Sequence, residues 1–426
     1  MSLWSIEWQL LVRSRLAVAA ALLLAALAGA AVASGMAEVA RQRAVIKRIQ
    51  LQQAEDVAAI VKWAAPTGDP GDAAYYTFHA TWDPPSDLAF AALGFRDVAP
   101  YVLRVRALGL EAQLYEGEQY NPELALAGRF DWSFVLVYLA PLFAIALLHD
   151  LVSGEREAGR LRVLQATAGD GRRLWWRRAL LRFALLWAAV ALPFLVGAVL
   201  SGAGALATLA ALGLAALYLA FWTGLAALVG RAGRSSVANA ATLAASWLVL
   251  TLVLPAVAQV AISAAVPVRQ GVELTLAQRE QVHRAWDVPK SETMRRFFAS
   301  HPQWADTAPL GPAFHWKWYF AFHQVGDEAV APQVAEYRRR LTARDRTTRA
   351  LGWFLPSVGV QAALARLADT DLKAQLAYQD RVRDYHRHLR GFYYSYLFRD
   401  RAFGVEDFGR VPSFEPLSAF DMDGGG

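Results

Sequence analysis

The sequence predicts an all-α polytopic membrane protein: about five transmembrane helices, with two mostly helical insertions packing as one extracytoplasmic domain. Three observations predict it. Between Phe183 and Val268 the only charged side chains are Arg231 and Arg234, both in one short turn; since about 20 apolar residues cross ~30 Å of hydrocarbon, that run has room for three helices. Hydrophobic residues make up 56% of the chain and charged ones 19%, and the arginines behind the net charge of +6 are scattered around apolar runs. They read as topology signals, not as a nucleic-acid face. The chain has no cysteine, which excludes disulfides, thiolate metal sites and cysteine nucleophiles and leaves packing alone to hold any outer domain.

The elements follow in order. Residues 1–15 carry Trp4, Trp8 and Leu11 at helical spacing beside Glu7 and Arg13, the pattern of an interfacial helix on the inner leaflet. Residues 16–36 form the first span. Ala31-Val-Ala33 resembles a signal-peptide cleavage site, but the segment before it is too long and too amphipathic for a leader, so the span reads as uncleaved. Residues 37–130 make the first outer segment, with 37–64 extending the first span as a helix, a loop over 68–85 rich in Gly, Pro and Asp, and strand within 101–115. The second span is 131–149, a cytoplasmic loop 150–182, and spans three to five occupy 183–265. Residues 266–426 form the second outer segment, with amphipathic helices over 334–349 and 371–394. Ala350–Leu364, short and interrupted by Pro356, reads as a core or interfacial helix and not a span. Arginines flanking the short loops place the N-terminus in the cytoplasm.

The cytoplasmic loop carries the most chemistry. In Asp150-Leu-Val-Ser153-Gly154-Glu155-Arg156-Glu157-Ala-Gly159-Arg160 the acids precede the bases, so a short helix starting after Ser153 matches its own macrodipole. Gly169-Asp170-Gly171 then breaks the chain before a basic re-entry at 172–178, where Trp175 and Trp176 suit the headgroup layer and the arginines suit anionic lipid or a cytoplasmic partner. On spacing alone this is equally a solvated connector or a docking element.

The span-loop sequence from Phe130 to Leu180 resembles the ABC-2 type permeases, whose S-G-E-R-E-x-G stretch after the second span is matched by Ser153, Gly154, Glu155, Arg156, Glu157 and Gly159. Trp316–Pro332, Trp353–Pro356 and Ala363–Leu372 resemble an ABC-2 subgroup with large extracytoplasmic domains of uncharacterised role. The resemblance implies a coupling helix that seats on a separate ABC ATPase subunit, with Asp150, Ser153, Gly154, Glu155, Arg156, Glu157, Gly159 and Arg160 as the coupling residues. It also implies a second permease subunit, identical or sister, in a bacterial cytoplasmic (inner) membrane. The chain departs from the pattern twice: Ala168 stands where proline is common, and no apolar segment supplies the sixth span expected near the C-terminus.

The rest of the sequence narrows the function. No phosphate loop is present, so ATP and Mg belong on the partner chain, and no cofactor is expected on this one. No nucleophile constellation or zinc motif appears, so the chain is expected to be a non-catalytic subunit. Six of eight histidines lie in the second outer segment, but a metal site there needs tertiary assembly, and none is expected. Spans three to five hold no charge, which disfavours a proton-driven carrier. The expected function is an exporter permease driven by a separate ATPase. The alternative is an ATPase-driven mechanotransmission subunit acting through its outer domain on envelope proteins or lipids, with a periplasmic or outer-membrane partner and no substrate crossing.

Overall fold

The computed structural model describes residues 3–115, 128–167, 171–268 and 271–416; the 168–170 break and the chain end at 417–426 lie outside the described residues. Among the described residues, five helices are long and apolar enough to cross a membrane: Arg15–Thr67, Trp132–Glu157, Arg173–Ser201, Ala205–Gly230 and Ser236–Ala265. They are called the first to fifth long helices below. The first continues without interruption from Arg15 to Ala64, started by Ser14, whose side chain accepts from the Ala17 N–H at 3.3 Å. Before it lies the amphipathic helix Leu3–Arg13, with Trp4, Trp8 and Leu10 exposed.

The described residues form two apolar cores. One joins the long helices through Leu24, Trp132, Leu186, Phe194 and Tyr218. The other joins residues from both polar segments, Ala64 to Tyr115 and Leu274 to Phe414, so the two insertions share a single core. Closeness in sequence cannot explain that union, since Tyr115 and Leu274 lie far apart along the chain; the C-terminal part of the first long helix organises it. Gln53 on that helix donates to the Phe78 carbonyl at 2.7 Å and accepts from the Ala80 N–H at 2.8 Å. Those bonds pin β1 (His79–Trp82), which pairs antiparallel with β2 (Val102–Val105) in the register His79↔Val105. Residues 68–85, read from sequence as loop, therefore contain β1 and a helix Pro70–Tyr76 capped by Asp69. Proline at the first helical position and aspartate before it are a helix start, and the Gly and Asp content masked that signal.

The appended domain is keyed into the long-helix bundle at two points. The first is the segment Leu88–Leu93, wholly buried in the bundle core. Its Phe90 stacks on Phe194, which in turn packs on Trp132 at 4.4 Å. Room for it comes from two glycines on different helices: a Cβ on Gly35 would fall on the Phe90 carbonyl, and one on Gly197 would lie 2.6 Å from the Phe90 ring. Asp131 completes the joint, accepting from the Leu93 N–H at 2.9 Å while capping the second long helix at Phe134.

The second point is a helical hairpin. The helix Trp316–Leu351 runs down beside the fifth long helix, turns at Gly352–Leu355, and returns as Pro356–Leu367. Val360 and Leu364 of the return helix belong to the bundle core. Ala350–Leu364 thus turns back against the bundle, with part of it in the bundle's core. Gly352 and Gly359 make the close approach possible, since a Cβ on either would strike the other's backbone.

Two of the helices that the hairpin contacts, the second and the fifth, carry a π-bulge followed by proline. In the fifth long helix the Leu254 N–H bonds the Val249 carbonyl, five residues back, and Pro255 has no N–H, so the Leu250 carbonyl loses its intrahelical donor. Ser357 of the hairpin supplies one at 3.1 Å. In the second long helix Pro141 removes the donor for Val137, and Tyr218 Oη donates to that carbonyl at 2.8 Å. The end of the fifth long helix is closed by arginines of the descending helix: Arg344 donates to the Val266 carbonyl at 2.7 Å and Arg340 to Pro267 at 2.8 Å, the favourable charge for a helix C-terminus.

Candidate functional site

The acidic loop forms two short helices, Ser153–Glu157 and Leu161–Thr167, where one was expected. Gly159 separates them. Its φ of +73° is left-handed, its N–H bonds the Arg156 carbonyl at 3.0 Å, and the Arg160 N–H bonds Glu155 at 2.9 Å. This is a Schellman stop, for which glycine is the natural residue. Gly154 is under no comparable constraint: a Cβ there would make ordinary contact with Asp150 at 3.5 Å, and its N–H bonds the Asp150 carbonyl at 2.8 Å.

The first of these helices is fastened to three others. Glu157 accepts from the Ser236 N–H at 2.7 Å and its hydroxyl at 2.9 Å, placing a carboxylate at the N-terminus of the fifth long helix, where the macrodipole favours it. Ser153 is buried and meets the same helix: its Oγ lies 2.9 Å from the Ser236 hydroxyl and accepts from Asn239 Nδ2 at 3.2 Å. Arg156 donates to the Gly233 carbonyl at 2.5 Å, in the turn that precedes that helix.

Glu155 points the other way. Its two oxygens take Arg160 Nε at 2.7 Å and Arg178 Nη1 at 2.9 Å. Arg178, on the third long helix, is buried over the Trp175 ring and also donates from Nε to Glu7 at 2.9 Å. One guanidinium thus joins the loop, the third long helix and the amphipathic N-terminal helix. An arginine fork between two carboxylates holds direction as well as distance.

All eight sequence-predicted residues therefore fall in one cluster, but Glu155, Arg156 and Glu157 are engaged within the chain. What faces solvent is Glu157, Ala158, Gly159, Arg160, Arg162, Gln165 and Ala166, with Val163 at 64% and Trp176 at 68% exposure standing out as apolar. Sequence reasoning missed Glu7, Arg178 and Ser236. Ser235-Ser236 after a glycine turn and before an apolar run was a readable helix start; Ser235 caps at Ala238, 3.3 Å away. Nothing local marks Glu7 as the partner of Arg178.

Three histidines of the appended domain, His79, His323 and His386, are buried. Burial pushes His79 down to about 3 and His323 to about 3, the latter helped by the nearby Arg390 and Arg106 charges, and it holds His386 well below its ordinary value. Among the described residues no group of three His, Asp or Glu side chains is placed to hold a metal ion.

Comparison with known families matches residues 272–416 to a domain of unknown function, DUF3526. That stretch covers the hairpin and most of the appended domain. No curated protein matches. No solved structure matches.

Proposed function

We propose that the chain is the membrane-embedded permease subunit of an ABC-2 type exporter in a bacterial cytoplasmic membrane, worked by a separate ATPase that seats on the exposed underside of the 150–167 loop. The five long helices are its spans, the N-terminus is cytoplasmic, and the appended domain faces outward. The observation that carries this reading is the fastening of Ser153–Glu157: through Glu157, Arg156 and Arg178 a single short helix grips the fifth and third long helices and the N-terminal helix. A push on that helix is delivered to the bundle and not dissipated in a loop. The ATP and Mg²⁺ chemistry belongs to the partner, and the second permease half is another copy or a sister chain.

The test is purification of the full chain from membranes in mild detergent with whatever ATPase accompanies it. The expected result is an ATP-hydrolysing subunit whose nucleotide turnover falls when Arg178 is replaced by Gln. Absence of any such subunit would contradict the proposal.

A second reading, mechanical work delivered to the outer domain without substrate crossing, is favoured by one observation. The Phe90 segment and the Ser357 hairpin lock the appended domain to the bundle at two separate helix pairs. A domain serving only as a tether would need neither. Export without outer-domain movement, followed by distance measurements between Trp82 and Leu206 positions in the two nucleotide states, would separate the readings.

A further inference from the structure

The appended domain contains a cavity of about 470 Å³ between the helix Leu372–Leu397, the helix Trp316–Leu351 and the turn Pro302–Trp304, within the size range of small-molecule sites. Its acidic groups are already satisfied. Glu111 accepts two bonds from Arg383, both 2.9 Å, and Asp327 accepts from Arg390 and from the Leu110 N–H, both 2.8 Å. What the walls still offer is donors. Among the described residues Arg387 reaches only Asp384, through Nη2 at 2.6 Å, and both side chains are largely exposed, so that pair is weak and exchangeable. The Gln303 side-chain amide has no partner among the described residues. Trp304 and Tyr394 add flat apolar walls.

Gly391 is the second observation. It lies inside the Leu372–Leu397 helix and on the cavity lining, and a Cβ added there would meet nothing within 4 Å. Glycine is disfavoured in a helix interior, and neither packing nor a left-handed φ calls for it here. Its effect at this position is to keep the cavity open.

We propose that this cavity binds a small organic anion, with a carboxylate or phosphate ester held by Arg387 and the Gln303 amide and an apolar arm lying against Trp304 and Tyr394. Saturation-transfer NMR on the full chain in nanodiscs, with benzoate and phenyl phosphate as probes, tests it. The parent chain binds at least one probe saturably; benzoate alone identifies a carboxylate site, phenyl phosphate alone a phosphate site, and both an oxyanion site that does not discriminate. Arg387→Gln weakens binding about tenfold, the loss expected for one charged hydrogen bond. Gly391→Leu abolishes it, whereas Gly391→Ala retains it. Failure of the parent chain to bind either probe saturably overturns the proposal, as does undiminished binding by folded Gly391→Leu. Should Gly391→Leu not fold, unchanged affinity in Arg387→Gln overturns it alone.

Discussion

Gly35 and Gly197 make room for one aromatic ring, and the two sites differ in what a methyl group would strike. At Gly35 the obstacle is the Phe90 backbone carbonyl; at Gly197 it is the Phe90 ring and the Val32 side chain. Side chains yield and backbone does not, so Gly197→Ala is expected to cost about 1–3 kcal/mol as ordinary overpacking, with Gly35→Ala costing more. Thermal unfolding of the two variants in nanodiscs checks the order, and equal midpoints would contradict the wedge. The buried histidines give a second prediction at this scale. The unfolded chain takes up protons as pH falls through the ordinary value of 6.5, while folded His79 and His323 stay neutral down to about 3. In that window the unfolded state binds more protons, so stability falls with acidification, by about 1 kcal/mol per histidine near about pH 5.5. Asp327 works in the opposite sense, because burial raises its carboxyl. Unfolding midpoints between neutral and mildly acidic pH should drop, and the drop should shrink in His323→Gln.

Among the elements, the hairpin and the two π-bulges form one assembly: each bulge leaves a carbonyl without its helical donor, and a hydroxyl from elsewhere supplies it. Ser357→Ala leaves the Leu250 carbonyl unsatisfied, at a cost of about 1–3 kcal/mol, and should loosen the helix Pro356–Leu367. Amide hydrogen exchange reads this directly, with faster exchange confined to that helix as the expected result and unchanged exchange as the contrary one. None of this was legible beforehand. The apolar runs from Phe183 onward announced long helices because length and absence of charge need no knowledge of partners. The prolines at 141 and 255 announced irregularity, but not which hydroxyl would compensate it. Ala350–Leu364 was readable as apolar and short; that it turns back against the bundle depends on glycine pairing between residues 352 and 359 and on a partner helix a hundred residues away. The acidic loop shows the same division. Its charge order and Gly159 stop were local and legible, whereas the Glu7–Arg178–Glu155 chain links residues separated by 171 and 23 positions.

For the whole molecule, the account is one of linked bodies. The short acidic helix is fixed to the bundle, the bundle is fixed to the appended domain by Phe90 and the hairpin, and the first long helix runs from the N-terminal helix into the appended domain's core. Motion imposed at the loop has a continuous packed route to the far end, which both functional readings require. On the proposed reading, the solvent-facing residues of the loop, and not the largely enclosed Glu155, are where a motor subunit would make contact. The absence of cysteine from the sequence lets a single introduced thiol report on that surface without background. The most direct measurement is therefore cross-linking from Val163→Cys in intact membranes. The account predicts that the thiol is shielded from impermeant reagents added outside and joins an ATP-hydrolysing polypeptide. Labelling of Val163→Cys from the outside would contradict it.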